Sequence, residues 1–257
     1  MSAQVFSATR KAIADSVPVT VVTVVKGPGV GNKLAVLPDR TVGTLGDPAL
    51  DAFAVPEARR LLDDERSMTE PFSSESGAVE LFFESFPPPP TLLIFGAVHV
   101  AQALAMFGKQ LGFRVVVTDA RAKLLTEERF PTADVLIQGW PDEAIAQTTI
   151  DRNTYIAILT HDPKFDEPAL LGTLATDARY IGAVGSRQTC ADRRVCLTEA
   201  GATEEQLARI RGPIGLNIGA STPEEMAISI LAEIIALRNG RDAQPLTTAT
   251  GNIRARV

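Results

Sequence analysis

The chain has 257 residues, 45% of them hydrophobic and 22% charged, which is enough apolar material for one large domain or two modest cores. A formal net charge of −6 leaves no basic surplus with which to grip a nucleic-acid backbone or an anionic bilayer by bulk charge. No apolar core of signal-peptide length occurs near the N-terminus and no later run offers about 18 uninterrupted apolar residues, so no membrane span is expected and a cytoplasmic location is.

The first ninety residues read as a small α+β domain. "PVTVVTVVKGPG", "NKLAVLPD" and "RTVGTLGD" are short β-branched runs broken by Gly, Pro, Asn and Asp. The near-helical spacing of Leu50, Phe53, Ala54, Ala58, Leu61 and Leu62 predicts a helix over roughly Pro48 to Asp64. In "GAVELFFESF", Val79, Leu81 and Phe83 alternate with Glu80 and Glu84, the pattern of a half-buried strand. Pro87 to Pro90 can join neither a ladder nor a helix interior and behave as a stiff connector. They divide an N-terminal domain, 1–86, from a domain over 91–240, with a tail over 241–257.

Beyond the prolines strand and helix patterns alternate, as in a parallel sheet wrapped by helices. Strands are expected at Leu92 to Phe95, Arg114 to Thr118, Asp134 to Gln138, Tyr155 to Thr160 and Tyr180 to Val184, with a short sixth around Pro213 to Ile218. The first helix carries Ala97, Val100, Ala101, Leu104, Ala105 and Leu111 on one face, and Gly112 stands where a left-handed cap is expected. The last opens with Thr222-Pro223-Glu224-Glu225, an N-cap threonine, a first-turn proline and a capping-box glutamate. Cys190 and Cys196 fall on different faces of a helical stretch, so neither a disulfide nor a metal pair is expected. With only His99 and His161 available, a histidine-rich metal cage is excluded. The fold class is α/β: a C-terminal Rossmann-like domain with a mainly parallel sheet, plus the smaller N-terminal α+β domain.

Four loops follow strands and so gather along one edge of the sheet. In the first, Gly96-Ala97-Val98-His99-Val100-Ala101, a glycine turn aims unpaired N–H groups and the positive end of a helix dipole at whatever lies above it. Val98 stands where a dinucleotide fingerprint has its second glycine and obstructs the approach of a pyrophosphate. Asp119 ends the next strand and can accept from a diol, or it merely terminates the strand. The second loop is Thr160-His161-Asp162. A histidine beside a carboxylate there can shuttle a proton or bind a phosphate or carbonyl, or Asp162 and Asp166 simply shape the turn and cap the next helix while His161 bonds within the loop. In the third, Gly185 and Ser186 open a helix with Arg187 in its first turn, a cation that either binds an anion or pairs locally. In the fourth, "GPIGLNIGAST", Gly215 and Gly219 lead into the last helix, a second glycine-rich entrance suited to an anion.

Taken in their order, "PPPPTLLIFGAVHVA", "VVVTDAR", "LTHDPKFDEPAL", "YIGAVGSRQT" and "GPIGLNIGASTPEEMAISILAEIIA" resemble the XdhC/CoxI family of accessory factors for xanthine dehydrogenase and related molybdenum hydroxylases. The resemblance implies a protein that binds the molybdenum cofactor (molybdopterin), protects it, and assists its insertion, after sulfuration, into an apo molybdenum hydroxylase. A cysteine desulfurase is a further implied partner, and a homodimer is left open. Read with the four loops, the resemblance leads to a candidate binding site over Gly96 to Val100, Asp119 and Arg121 of "VVVTDAR", Thr160 to Asp162, Gly185 to Arg187, Gly215 and Gly219. The chain departs from the family where Val98 replaces the middle glycine of GAGHVA and where Gly43 to Pro48 lacks the Gly-Gly-Cys of many members. Asn217 and Ser221 also stand where Asp and a basic residue are frequent. A nicotinamide-dependent oxidoreductase using NAD(P) on the same domain is the rival reading, opposed by Val98 and by the lack of a Tyr-x-x-x-Lys arrangement. A degenerate nucleotide-binding scaffold is a third.

Overall fold

The computed structural model describes residues 3–74 and 77–250. It comprises two compact units, one ending at Pro88 and the other spanning Pro89–Ala249. The first unit runs α1 (Ala3–Ala14), β1 (Val19–Lys26), β2 (Lys33–Val36), β3 (Thr41–Thr44), α2 (Pro48–Asp63), β4 (Met68–Ser74) and β5 (Gly77–Phe86). Its five strands form an antiparallel sheet in the order β3-β2-β1-β5-β4. The alternation in β5 turns Val79, Leu81 and Phe83 inward, where they meet Leu50, Ala54, Ala58 and Leu61 of α2. Asp47 caps that helix by accepting from the Ala49 N–H at 2.8 Å, which fixes its start just ahead of Pro48. Val5 and Ala12 of α1 join Val19, Val21 and Ala35 in a separate cluster. Two elements carry no readable pattern: α1 buries only Val5 and Ala12, and β4 contains Pro71, which an edge strand tolerates because one row of its N–H groups lacks a ladder partner in any case.

The second unit runs β6 (Thr91–Phe95), α3 (His99–Gln110), β7 (Arg114–Asp119), β8 (Val135–Gln138), α4 (Pro141–Gln147), β9 (Thr154–Ile158), α5 (Pro163–Leu174), β10 (Tyr180–Ala183), α6 (Arg187–Glu199), α7 (Glu204–Ala208), β11 (Ile210–Arg211) and α8 (Pro223–Arg238). All its strand pairings are parallel, in the order β11-β10-β9-β6-β7-β8. Read from β8, this is the doubly wound order in which the first strand lies beside the fourth. Each strand of the sheet's centre is buried on both faces. Leu92, Ile94, Val115, Val117 and Tyr155 pack with α3 and α8, while Leu93, Phe95, Val116, Ile156 and Ile158 pack with α4, α5, α6 and α7.

The sixth strand is not at Pro213 to Ile218 but earlier, at the two residues Ile210–Arg211. Pro213 has no N–H for a ladder, and Gly215 and Gly219 adopt φ of +95° and +75°, conformations foreign to a strand. Gly112 closes α3 with φ +83° as its position predicts. Cys190 and Cys196 are both free thiols in α6. Among the described residues no helix is long and apolar enough to cross a membrane.

Candidate functional site

β6 and β9 are hydrogen-bonded neighbours, yet the chain leaves β6 toward β7 and leaves β9 toward β10. Their two loops leave the sheet in opposite directions at the carboxyl edge, the place where open parallel sheets accept ligands. Gly96 adopts φ +104° there, and its N–H donates to the Thr118 carbonyl at 2.8 Å. A Cβ on Gly96 would stand 2.4 Å from Thr160 Cγ2 and 3.2 Å from the Thr160 nitrogen. Glycine is therefore demanded both by backbone conformation and by the loop pressed against it.

Thr160 is itself held from below. Its buried hydroxyl donates to Asp166 Oδ1, and Asp166, 1% exposed, pairs through Oδ2 with Arg193 Nη2 at 2.9 Å. Arg193 Nη1 also reaches the Val184 carbonyl at 3.1 Å. Burial pushes the Asp166 carboxyl above its ordinary pKa, against the Thr160 hydrogen bond and the Arg193 charge, which work the other way. This network ties the loop after β9 to α5, α6 and the end of β10. Sequence reasoning treats Asp166 as a turn former and passes over Arg193. The available signal is faint: Arg193 shares its inward helix face with Leu197, four residues on.

Asp119 plays a different part from that expected. Its side chain is 2% exposed and takes four donors: the Ala97 N–H at 2.7 Å, the Arg121 N–H at 2.8 Å, Arg121 Nε at 2.9 Å and Arg121 Nη2 at 2.8 Å. Burial alone would raise its pKa, but the Arg121 hydrogen bond, the two backbone N–H groups and the Arg121 charge outweigh it and hold the carboxyl below its ordinary value. Both oxygens are committed within the protein, so Asp119 has no lone pair directed at a ligand hydroxyl. It fastens the glycine turn and aims Arg121, whose side chain remains 56% exposed at the edge.

At the start of α3, Val98 occupies the N-cap in an extended conformation, and among the described residues no side chain caps the helix. Val98 and Val100 are half-buried and pack against the α3–α8 cluster, whereas His99 is exposed. The first N–H groups of a three-turn helix thus meet no side-chain acceptor, with a guanidinium fixed nearby. That combination favours an anion.

The other helix entrances differ. Asp162 caps α5, accepting from the Lys164 N–H at 3.1 Å, and His161 beside it is exposed. Ser186, next to Gly185, caps α6 by accepting from the Thr189 N–H at 3.0 Å, leaving Arg187 exposed in the first turn. At α8, Glu225 Oε2 accepts from the Ser221 and Thr222 N–H groups at 2.8 and 3.1 Å and from the Ser221 hydroxyl at 3.0 Å. Those hydrogen bonds, led by the Ser221 N–H, hold the Glu225 carboxyl below its ordinary pKa. The entrance expected to suit an external anion therefore holds one of its own. Gly215 is likewise explained by packing: a Cβ would meet Ser229 Oγ at 2.5 Å, and its N–H donates to Glu233 Oε2 at 2.9 Å. The buried Tyr180 hydroxyl donates to that same oxygen at 2.5 Å. Gly219, by contrast, stands clear, with no described atom within 4 Å of a Cβ built on it.

Of the residues picked out by sequence, the structure brings Gly96, Ala97, Val98, His99, Val100, Asp119, Arg121, Thr160, His161 and Asp162 together on the β6, β7 and β9 loops. Gly185, Ser186 and Arg187 follow β10, one strand farther along, and Gly215 and Gly219 lie on the segment leading to α8.

Comparison with known proteins bears on this edge. The family model described as the XdhC Rossmann domain matches residues 92–234, and that of the XdhC and CoxI family matches residues 12–73. The chain is 30% identical over 210 residues to the uncharacterized protein YqeB of Escherichia coli, an alignment covering 77% of this chain and 38% of that protein. It is 32% identical over 158 residues to a protein of Bacillus subtilis described as a probable xanthine dehydrogenase subunit, covering 62% and 46%. It is 29% identical over 157 residues to the molybdenum cofactor insertion chaperone PaoD of Escherichia coli, covering 61% and 43%. In each case the match spans less than half the length of the curated relative. A xanthine dehydrogenase from Bacillus halodurans shares the fold with a TM-score of 0.56 at 21% identity, over 95% of this chain and 99% of that one.

Proposed function

The chain belongs to the XdhC and CoxI family, and from that premise we propose that it is an accessory factor in the maturation of a molybdenum hydroxylase, binding the molybdenum cofactor and handing it to the apoenzyme. The observation that carries the reading is the entrance of α3, without a side-chain cap and with Arg121 fixed beside it by Asp119. When bound, the cofactor supplies a terminal phosphate, a pterin, and the dithiolene that holds molybdenum. The groups that fit its phosphate are the first N–H groups of α3 and the exposed face of the Arg121 guanidinium. The phosphate seat lies toward Arg121, the cation that Asp119 holds beside the turn. Thr160, locked by Asp166 and Arg193, forms the opposite wall, and His161 stands at its rim.

The dinucleotide alternative is weakened twice: Val98 stands in place of the glycine that lets a pyrophosphate approach the backbone, and the carboxylate that would hold a ribose is taken up internally. Beside this geometry, the proposal rests on similarity to PaoD and to the Bacillus subtilis protein. Titrating the purified protein with molybdenum cofactor, and assaying activation of an apo molybdenum hydroxylase in its presence, tests it. Saturable binding and faster activation are expected; the absence of both would end the proposal.

A further inference from the structure

Trp140, the chain's only tryptophan, has no part in the site so far. It is 51% exposed and stands directly after Gly139, whose N–H donates to the Asp119 carbonyl at 3.3 Å. The indole therefore lies at the carboxyl edge, one strand from the residues that hold Arg121. Its setting is rigid. The Trp140 backbone N–H donates to Glu143 Oε2 at 2.8 Å, and a Cβ on Gly139 would come within 2.4 Å of that same oxygen, so glycine is what lets Glu143 fold back. The inner side of the indole is backed by Phe165, with ring centroids 6.0 Å apart, and Phe165 is backed in turn by Phe95 at the end of β6, 6.4 Å away. A row of rings runs from the sheet interior, on the face covered by α4 and α5, out to a half-exposed indole at the same carboxyl edge from which α3 starts.

A large apolar ring held rigidly at a polar edge is costly to leave in water and well suited to stacking. The charges nearby discriminate between parts of a ligand. Asp142 and Glu143 occupy the first turn of α4, so a phosphate is repelled there, whereas a neutral ring bearing N–H donors is accepted. We propose that Trp140 is the platform on which the site stacks a fused, nitrogen-bearing heteroaromatic ring, a pterin or a purine, of a ligand whose phosphate lies at the start of α3. The inference rests on the proposed cofactor-binding role and adds the ring-recognition half of the same site.

The test uses the full chain and the fluorescence of its single indole. Molybdenum cofactor and adenosine 5′-monophosphate, the pterin and purine arms, are titrated beside ribose 5-phosphate, which has the phosphate but no ring. Quenching that saturates with at least one ring-bearing ligand, and none with ribose 5-phosphate, is expected. By calorimetry Trp140→Leu weakens the ring-bearing ligand about ten-fold or more, Trp140→Phe restores most of the affinity, and binding of ribose 5-phosphate is unchanged in both variants. An unaltered melting temperature confirms that the half-exposed ring was not needed for folding. Wild-type affinity for the cofactor in Trp140→Leu would overturn the platform while leaving the proposed function standing. Quenching by the purine nucleotide without any binding of molybdenum cofactor would do the reverse, and failure of both ring-bearing ligands to bind would overturn the platform.

Discussion

Helices α3 and α8 both follow glycine-bearing turns out of the parallel sheet, and the chain treats their free N–H groups in opposite ways. At α8 a threonine cap and Glu225 close a capping box, and the glutamate accepts from two backbone N–H groups. At α3 the cap residue is Val98, which has nothing to accept with, and the nearest carboxylate, Asp119, is taken up by Ala97 and Arg121. Glycine content does not separate the two. What separates them is whether the chain supplies its own acceptor, and the entrance without one is the entrance at which the anion seat is proposed.

The largest expected effect lies beneath α3's turn, in the buried pair that braces Thr160. Arg193→Met strands the Asp166 carboxylate, 1% exposed, without its cation. Losing one partner of a buried pair costs about 3–5 kcal/mol, which lowers the melting temperature by roughly 6–20 °C in a domain of this size. The loss depends on pH, with a sign fixed by Asp166. Its pKa in the folded protein is raised above the ordinary value of 3.8, so the folded state holds a proton that the unfolded state releases, and stability falls as pH rises through the folded pKa. Melting Arg193→Met at pH 4 and pH 8 should show the smaller deficit at pH 4. An equal deficit at both would mean that Asp166 is not the group left stranded.

Next come the two glycines. Gly96→Ala combines a φ of +104° with a methyl group 2.4 Å from Thr160 Cγ2, and a cost of about 2–4 kcal/mol is expected from the two effects together. Gly219→Ala, on the α8 side, meets no described atom within 4 Å and carries only the conformational cost of its φ of +75°, about 1 kcal/mol. Denaturant midpoints measure both. Equal losses would mean that the contact between Gly96 and Thr160 is not tight, and the bracing of the α3 turn by Thr160 would lose its basis.

Asp119 gives a third measure. Because its folded pKa lies below the ordinary 3.8, its contribution is present above that value and disappears as pH falls through the folded pKa. Wild type and Asp119→Asn should therefore differ most near neutrality and converge on acidification. Stability curves that stay parallel down to pH 3 would remove Asp119 as the fastening of the turn.

The frame of the second unit is legible in the sequence because parallel strands and covering helices leave strong local marks: apolar runs at 92–95 and 114–118, a glycine turn, and the threonine-proline start of α8. Asp119 is legible as a position but not as a role, since the choice between an internal cation and a ligand hydroxyl is settled by Arg121 folding back two residues later. The pair of Asp166 and Arg193, 27 residues apart, leaves no periodic trace, because a buried arginine looks like any surface arginine until its carboxylate is known. Pattern misplaces the last strand because apolar residues at 214, 216 and 218 alternate as a strand would, while Pro213, Gly215 and Gly219 forbid one. Trp140 escapes notice because a single aromatic after a strand has no period to mark it, and only its exposure in the fold sets it apart.

The two entrances can also be exchanged. Val98→Asp puts an acceptor at the start of α3, a cap worth about 0.5–2 kcal/mol, against the loss of the valine's half-buried apolar contact, which is of similar size. Little change in melting temperature is therefore expected, while affinity for a phosphate-bearing ligand falls about ten-fold or more because the entrance now holds its own anion. Glu225→Ala does the converse by releasing the N–H groups of Ser221 and Thr222. Inorganic phosphate should then shift the Ser221 and Thr222 amide resonances in the variant and leave them unmoved in the wild type. This is the smallest of the effects, since among the described residues no guanidinium is held at the start of α8 in the way that Asp119 holds Arg121 beside α3. If phosphate bound the Glu225→Ala entrance as tightly as it binds α3, the free N–H groups alone would account for recognition, and Arg121 would be a strand-end ornament of Asp119 rather than part of the anion seat.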